Sequence, residues 1–330
     1  MSSEGRRRTG FEVRTYLSGW ANTGQVPYGP LFQAAMGAEP EIGQELVVAW
    51  APTPVSISTT TPHGRVIGSG VSDGREIRFV SAVADSFHLT VNVPFSRPLA
   101  AGTQLNPTVS YRLATDLPSL TIYDYWEPLT AISRIITGAA VNIMDLSVNG
   151  DRHEFTFSGP AADLVDSASF SVGTAGLGSF PSEPALEVVK TRAVPGHLGQ
   201  AWLGGTASEF FTITEASIQL QNNIDLRNKE FGFSYPRAAI AGQRQVNTAF
   251  SLFARDDSQT LGLYSAAKNQ AATSMMLQMG AQKGQLMGAY LPSVIPVVPV
   301  FDDAETRLRW RFKNNVVQGT SDDELYIAFA

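Results

Sequence analysis

A mainly β fold with few short helices is the class this sequence predicts, on three observations. Apolar and polar residues alternate with a period of two along most of the longer segments. Asn149-Gly150 and Asp73-Gly74 stand next to such runs, the strongest short hairpin signal because both turn residues tolerate positive φ. The 29 glycines and 19 prolines are spread along the chain, as a protein with many turns requires.

The bulk numbers bound the rest. The 330 residues suffice for one large or two medium domains, and 43% are hydrophobic, enough to bury a real core. Only 16% are charged, below the usual quarter or so, which leaves much surface neutral. Lys and Arg total 24 against 30 Asp and Glu, a net charge of -6, which suits poorly a protein that wraps nucleic acid. With no cysteine, a disulfide framework, a zinc ribbon and a Cys nucleophile are excluded. The opening "MSSEGRRRTG" lacks the apolar region of a secretory signal. The most apolar run, Val294–Phe301, is broken by Pro296 and Pro299, so no membrane span is expected. The chain reads as soluble and made inside a cell.

In chain order, residues 1–10 with Arg6-Arg7-Arg8 read as a flexible arm, followed by one β domain over 11–330. "GPLFQAAMG" predicts a short helix, with Pro30 in its first turn and Gly37 as its stop. Residues 45–115, rich in Thr, Pro, Gly and Val, predict a β-rich insert. "EPLTAISRIITG" is expected to form a helix. His153, Phe155 and Phe157 alternate with Glu154, Thr156 and Ser158, a strand with one buried face. Val172–Pro184 has no period and reads as a long loop. In "ASIQLQNNIDL", Ile218, Leu220, Ile224 and Leu226 are expected to pack inward, with Gln219, Gln221, Asn223 and Asp225 on the other face. On the returning strand Val246, Phe250 and Leu252 oppose Gln245, Asn247 and Ser251. "SQTLGLYSAAKNQA" predicts a helix capped by Ser258. Lys283-Gly284 turns a hairpin, Leu308, Trp310 and Phe312 alternate with Arg307, Arg309, Arg311 and Lys313, and Leu325, Ile327 and Phe329 close the chain. There is no repeat of 20 to 50 residues.

No catalytic constellation emerges. Gly70-Val71-Ser72-Asp73-Gly74 matches the nucleophile-elbow pattern, but that mechanism needs a helix after the serine, and "REIRFVSAV" reads as a strand. His63, His88, His153 and His197 lack metal-site spacing, and His153 reads as a packed or interface residue. Asp302-Asp303 and Asp322-Asp323-Glu324 lack the frame of a calcium loop. The basic stripe at 307–313 reads as an edge or protein interface. No enzyme activity, cofactor or metal is expected.

Four stretches carry a resemblance. They are "GPLFQAAMG", the segment from Asp116 to Asp166 with its N-G hairpin and "FSG" strand, "ITEASIQLQNNIDLRNKEFG" with the strand after "GQRQV", and "MMLQMGAQKGQLMGAYLPSV". The ending "QGTSDDELYIAF" is also similar. In these, across about two thirds of the chain, the sequence resembles the major tail tube proteins of long-tailed bacteriophages; residues 45–115 depart from the smallest members. The resemblance implies a β-sandwich with one flanking helix. It implies homohexameric rings whose inner sheets join into one β-barrel and stack into a tube, with double-stranded DNA passing through unbound. Other phage tail proteins would be partners. The place would be the virion tail, after assembly in the bacterial host cytoplasm.

On that reading Gln219, Gln221, Asn223, Asp225, Gln245 and Asn247 would face the lumen, since amides wet a wall without the counterion release by which cations grip phosphate. Arg227, Lys229 and Glu230 would meet a neighbouring subunit, as would Arg307, Arg309 and Arg311. The alternative is a β-sandwich binding module for carbohydrate or protein on a virion or cell surface. That reading calls for an aromatic platform, whereas Trp20, Trp50, Trp126, Trp202 and Trp310 are scattered in sequence.

Overall fold

A computed structural model describes residues 8–20, 26–126, 132–184, 192–204, 208–209, 212–227, 230–232, 236–304 and 306–330. Among the described residues the fold is mainly β, with 47% in strands and two α-helices. Fourteen strands form the main sheet. From the Thr9–Tyr16 edge the order runs through His153–Ala161, Ile143–Asn149, Ile213–Gln221, Gln245–Phe253 and Arg309–Val317, then Met287–Ile295, Thr273–Met279, Gly199–Leu203 and Ser208–Glu209.

The sheet forks at Met287–Ile295. Its last residues pair with Val316 and Val317, while its first pair with Tyr326–Phe329, which continues to Thr108–Arg112 and Glu41–Gly43. The fork folds the sheet into a nearly closed, barrel-like sandwich. Both layers contribute to one core, including Phe155, Phe157, Ile218, Leu220, Phe250, Phe312, Met275, Leu277, Ile327 and Phe329.

Helix α1 (Gly29–Met36) plugs this core, as its sequence predicts. Pro30 fits the first turn, where its missing N–H costs nothing. Gly37 ends the helix at φ 96, a conformation only glycine adopts cheaply. Phe32 is fully buried, with ring centroids 5.5 Å from Phe155, 5.1 Å from Phe157, 5.2 Å from Phe329, 5.8 Å from Tyr111 and 6.0 Å from Tyr28. Mostly edge-to-face rings at this spacing add roughly 0.5–1.5 kcal/mol per pair beyond burial. Helix α2 (Ser258–Asn269) forms where expected, but its cap is Asp257, whose carboxylate accepts from the Thr260 N–H at 2.7 Å.

Residues 46–105 form a separate six-stranded sheet with its own cluster of Leu46, Val48, Ile57, Val71, Val80, Leu89, Val91, Phe95 and Leu105. The flanking strands Glu41–Gly43 and Thr108–Arg112 pair with each other in the main sheet, so the small sheet leaves and re-enters between adjacent strands. It docks through Ile77, Phe79 and Val93 onto Trp202, Met276, Leu286, Tyr326 and Ala328. The approach is so close that a Cβ on Gly288 would lie 2.8 Å from the Phe79 ring. Arg78, fully buried, stacks 4.2 Å over Trp202 and bonds Glu76 at 2.9 Å, Gln278 at 3.0 Å and the Pro94 carbonyl at 2.9 Å.

Three local readings need correction. The expected helix at "EPLTAISRIITG" is instead a strand over Arg134–Ala139; residues 127–131 of it lie outside the described residues. Ile135 and Ile136 are β-branched and pair on both sides, with Leu120–Asp124 and Asp163–Asp166. The hairpin at Asn149-Gly150 exists, but neither residue has positive φ. The Asn149 side chain closes it, accepting from the backbone N–H of Asp151 and Arg152. Beyond Gln221 the expected alternation stops, as described below. At Asp73-Gly74 the turn is as read, with Gly74 at φ 87, and Ser72 is buried in a strand–turn–strand context without a following helix.

Replacing Phe32 with Ala is expected to cost about 3–5 kcal/mol of unfolding free energy. A urea titration reads this directly, and a loss under about 1 kcal/mol would mean that the ring cluster does not hold the layers together.

Candidate functional site: a polar sheet wall

One face of the main sheet is open to solvent and polar. Along Ile213–Gln221 the burial alternates: Ala216, Ile218 and Leu220 are buried, whereas Glu215, Ser217, Gln219 and Gln221 are on the outer face. Gln245–Phe253 repeats this, with Val246, Thr248 and Phe250 inside and Gln245 and Asn247 outside. The period-two reading therefore holds for Gln219, Gln221, Gln245 and Asn247, and the register brings these four together. Gln219 lies opposite Asn247, and Gln221 opposite Gln245.

The wall extends on both sides in cross-strand rows. One row runs Arg14, Thr156, Asp145, Gln219, Asn247, Val316. The next runs Glu12, Ser158, Ile143, Gln221, Gln245, and the third Tyr16, Glu154, Ser147, Ser217, Ala249. At about 4.8 Å per strand, six strands span roughly 24 Å. Asp145, Ser147, Thr156 and Ser158 belong to the site although sequence reasoning left them unnamed; the alternation in "IMDLSVN" and "HEFTFS" is the signal that places them.

Most charges on this face have a partner, whereas Lys313, exposed between Arg311 and Val316, has no ion pair among the described residues. Gln219 Nε2 donates to Asp145 Oδ1 at 2.8 Å. Arg14 pairs with Glu154 at 3.1 Å, and Arg309 with Glu215 at 2.7 Å. Arg309 also donates to Thr214 Oγ1, and Arg311 pairs with Asp302. Arg307 lies over the Phe253 ring at 5.7 Å. The three arginines expected at a subunit interface are thus each engaged within the chain. Ser251, expected on the open face, is buried at 4% exposure and donates to Glu215.

Asn223 and Asp225 do not join the wall. The strand ends at Gln221, and Asn223 adopts φ 50, a left-handed conformation that asparagine tolerates. The preceding Asn222 is buried, its Nδ2 donating to the Ala35 and Val141 carbonyls at 2.9 and 3.0 Å. This side chain ties α1 to the wall strands, and the Asn222-Asn223 doublet is its signal. Asp225 and Leu226 form a separate two-stranded ribbon with Ala239–Ile240. Ile224 and Leu226 are therefore only half-buried, not core residues. Arg227 pairs with Glu230, which also lies 3.6 Å from Arg237; Lys229 lies outside the described residues.

Beside the wall a cavity of about 260 Å³ is lined by Asn149, His153, His197, Gln200, Thr214 and Glu215 among others. His153 is 1% exposed, as its place in the alternation requires. Burial pushes its imidazole below the ordinary value, against the opposing pull of the Leu198 and Pro195 carbonyls. Burial also disfavours the charged form of Glu76, but the Ser96 hydrogen bonds, the Arg78 charge and Gln200 outweigh it and hold the carboxyl low. Among the described residues no three His, Asp or Glu side chains gather to hold a metal ion, and no helix is long and apolar enough to cross a membrane.

No protein-family model matches this chain, and no curated protein matches it.

The depressed His153 value fixes a sign. Below about pH 6.5 the unfolded chain binds a proton at this site that the native state refuses. Stability should therefore fall on acidification through that range, by at most about 1.4 kcal/mol per pH unit. Urea midpoints of the His153→Gln variant, taken between pH 7.5 and pH 5, should fall less steeply than those of the parent chain. Parallel curves would remove His153 as the cause.

Proposed function

We propose that this chain is a tail tube subunit, with the amide wall facing the channel and DNA passing along it. The observation that carries this reading is the wall itself: six strands of one face, bearing amides, hydroxyls and charges that are mostly paired. Free cations there would each neutralise a phosphate, release counterions and hold the cargo. A paired arginine offers that much less, and an amide offers none.

The strand edges support assembly. Among the described residues, Thr9–Tyr16 pairs only with His153–Ala161, and Val300–Asp302 only with Arg309–Val317. Both edges border the polar face. An uncovered edge is a template for another strand, and joining edges of successive copies would continue the wall from subunit to subunit. Val300 and Val316, 58% and 50% exposed, give that margin apolar surface to cover. The most exposed tryptophans, Trp50 and Trp126, stand on and beside different small sheets; beside Trp126 the exposed Tyr123 stacks on Tyr125, and this aromatic patch is the feature on which the carbohydrate-binding alternative would rest.

The absence of cysteine allows a clean test. Purified protein is imaged by negative-stain electron microscopy across a concentration series, and the Gln219→Cys variant is labelled in assembled and dispersed states. The expected result is hollow rings or tubes in which the introduced thiol reacts with a small maleimide but is shielded from a large polymer-linked one. Uniform small particles at every concentration, or equal labelling by both reagents in tubes, would count against the reading.

A further inference from the structure

We infer that the Pro181–Pro184 segment is an exchangeable arm, which seats on the Tyr123–Tyr125 ledge of a second copy of this chain. The inference goes beyond the tail tube reading and does not rest on it.

The sequence supplies a stiff ligand. Pro181-Ser182-Glu183-Pro184 has two prolines three residues apart. Each fixes its own φ and lacks an N–H, and each restricts the residue before it to extended conformations. Such a segment has carbonyls to offer and few donors. It joins no strand ladder in the fold. Segments of this kind dock on aromatic side chains whose polar tips meet their carbonyls.

The ledge is already in use within one chain, but only in part. Tyr123 and Tyr125 lie two residues apart at the end of the edge strand Leu120–Asp124. Their rings are parallel to within 4°, with centroids 6.3 Å apart. The Tyr125 hydroxyl lies 3.4 Å from the Pro181 carbonyl and 3.3 Å from that of Ser182. Tyr123 remains 50% exposed, and Ser182, Glu183 and Pro184 are exposed too. One hydroxyl proton shared between two acceptors at such lengths makes a weak contact.

The same contact is made in trans once the local concentration of a second copy exceeds the effective concentration set by the intervening 56 residues, as it does between neighbours in an assembly. The stretch from Ser167 to Pro184 that carries the arm holds no strand, only a short helical turn at Thr174–Gly176. It is stiffened by an edge-on contact of Phe170 with Phe180 at 5.8 Å. Every copy carries both ledge and arm, so the chain supplies its own matched partner. One-way exchange links subunits head to tail, and reciprocal exchange closes a dimer.

The test places the photo-crosslinking residue p-benzoylphenylalanine at position 123, which is half exposed and tolerates a larger aromatic ring. This chain, at natural isotope abundance, is mixed with an equal amount of unmodified 15N-labelled chain, dispersed, reassembled and irradiated. Mass spectrometry of the cross-linked peptides then reads which copy supplied residues 180–184. Free exchange should put about half of the cross-links on heavy peptide, rising to that level with protein concentration. The Pro181→Gly, Pro184→Gly double variant of the labelled chain should lower the heavy fraction. Cross-links confined to light peptide at every concentration, or none on residues 180–184, would overturn the proposal. Neither outcome depends on whether tubes form or on which face lines them.

Discussion

Phe32 is where the two layers of this fold are held to one core. A single ring from an eight-residue helix meets Phe155 and Phe157 on one layer and Phe329 and Tyr111 on the other. Everything outside follows from the period of two. Once Phe155 and Phe157 turn inward, Glu154, Thr156 and Ser158 have to face out. Register carries the same parity across the ladder to Asp145, Gln219 and Asn247. The polar wall is the obligatory reverse of the aromatic core, and a slip of one residue in any strand would invert both.

What the wall displays is a separate matter of composition. Half of the residues in its three rows are small hydroxyls and amides, and most of its charges come in opposed pairs. Arg309 and Glu215 lie on strands separated by one other strand, and Ser251 on that strand bonds the same carboxylate. Half-exposed pairs of this kind contribute little to stability, about 0–1 kcal/mol. Their consequence is electrostatic: within these pairs positive charge is fixed beside negative charge, whereas Lys313 is exposed without such a partner among the described residues. Arg78 is the opposite case. Burying a guanidinium is costly unless its donors are met, and here Glu76, Gln278 and backbone carbonyls meet them while Trp202 covers its face. Removing Glu76 alone would leave that charge stranded between two sheets, so the pair fixes how the small sheet sits.

Long alternating runs are legible because a half-buried strand writes its phase into the sequence. Gln219, Gln221, Gln245 and Asn247 fall on one face from that phase alone. Helix α1 is legible from Pro30 and Gly37, whose constraints are local. What fails is decided at a distance. Arg134–Ala139 has apolar spacing that suits a helix, and pairing with strands on both sides overrides it. Asn223 and Asp225 continue the alternation of a strand that buried Asn222 ends, by reaching to the Ala35 carbonyl 187 residues away. The partners of Arg309 and Arg311 depend on which strands become neighbours, and nothing in "RLRWRFK" states that.

The two layers of the sandwich differ in a way that bears on assembly. Thr273–Met279 does not alternate: Met275, Met276, Leu277, Gln278 and Met279 are all buried. Met275, Leu277 and Met279 belong to the main core, while Met276 belongs to the cluster under the small sheet. Strands buried on both faces read as continuous apolar runs, and "MMLQM" against "SIQLQ" is that distinction in five letters. One layer is therefore covered by the inserted sheet, and the other keeps its outer face bare. On the tail tube proposal, the face that lines the channel is the bare one. On that proposal the layer covered by residues 46–105 would turn to the outside of the ring, where an insertion would enlarge the subunit without narrowing the passage.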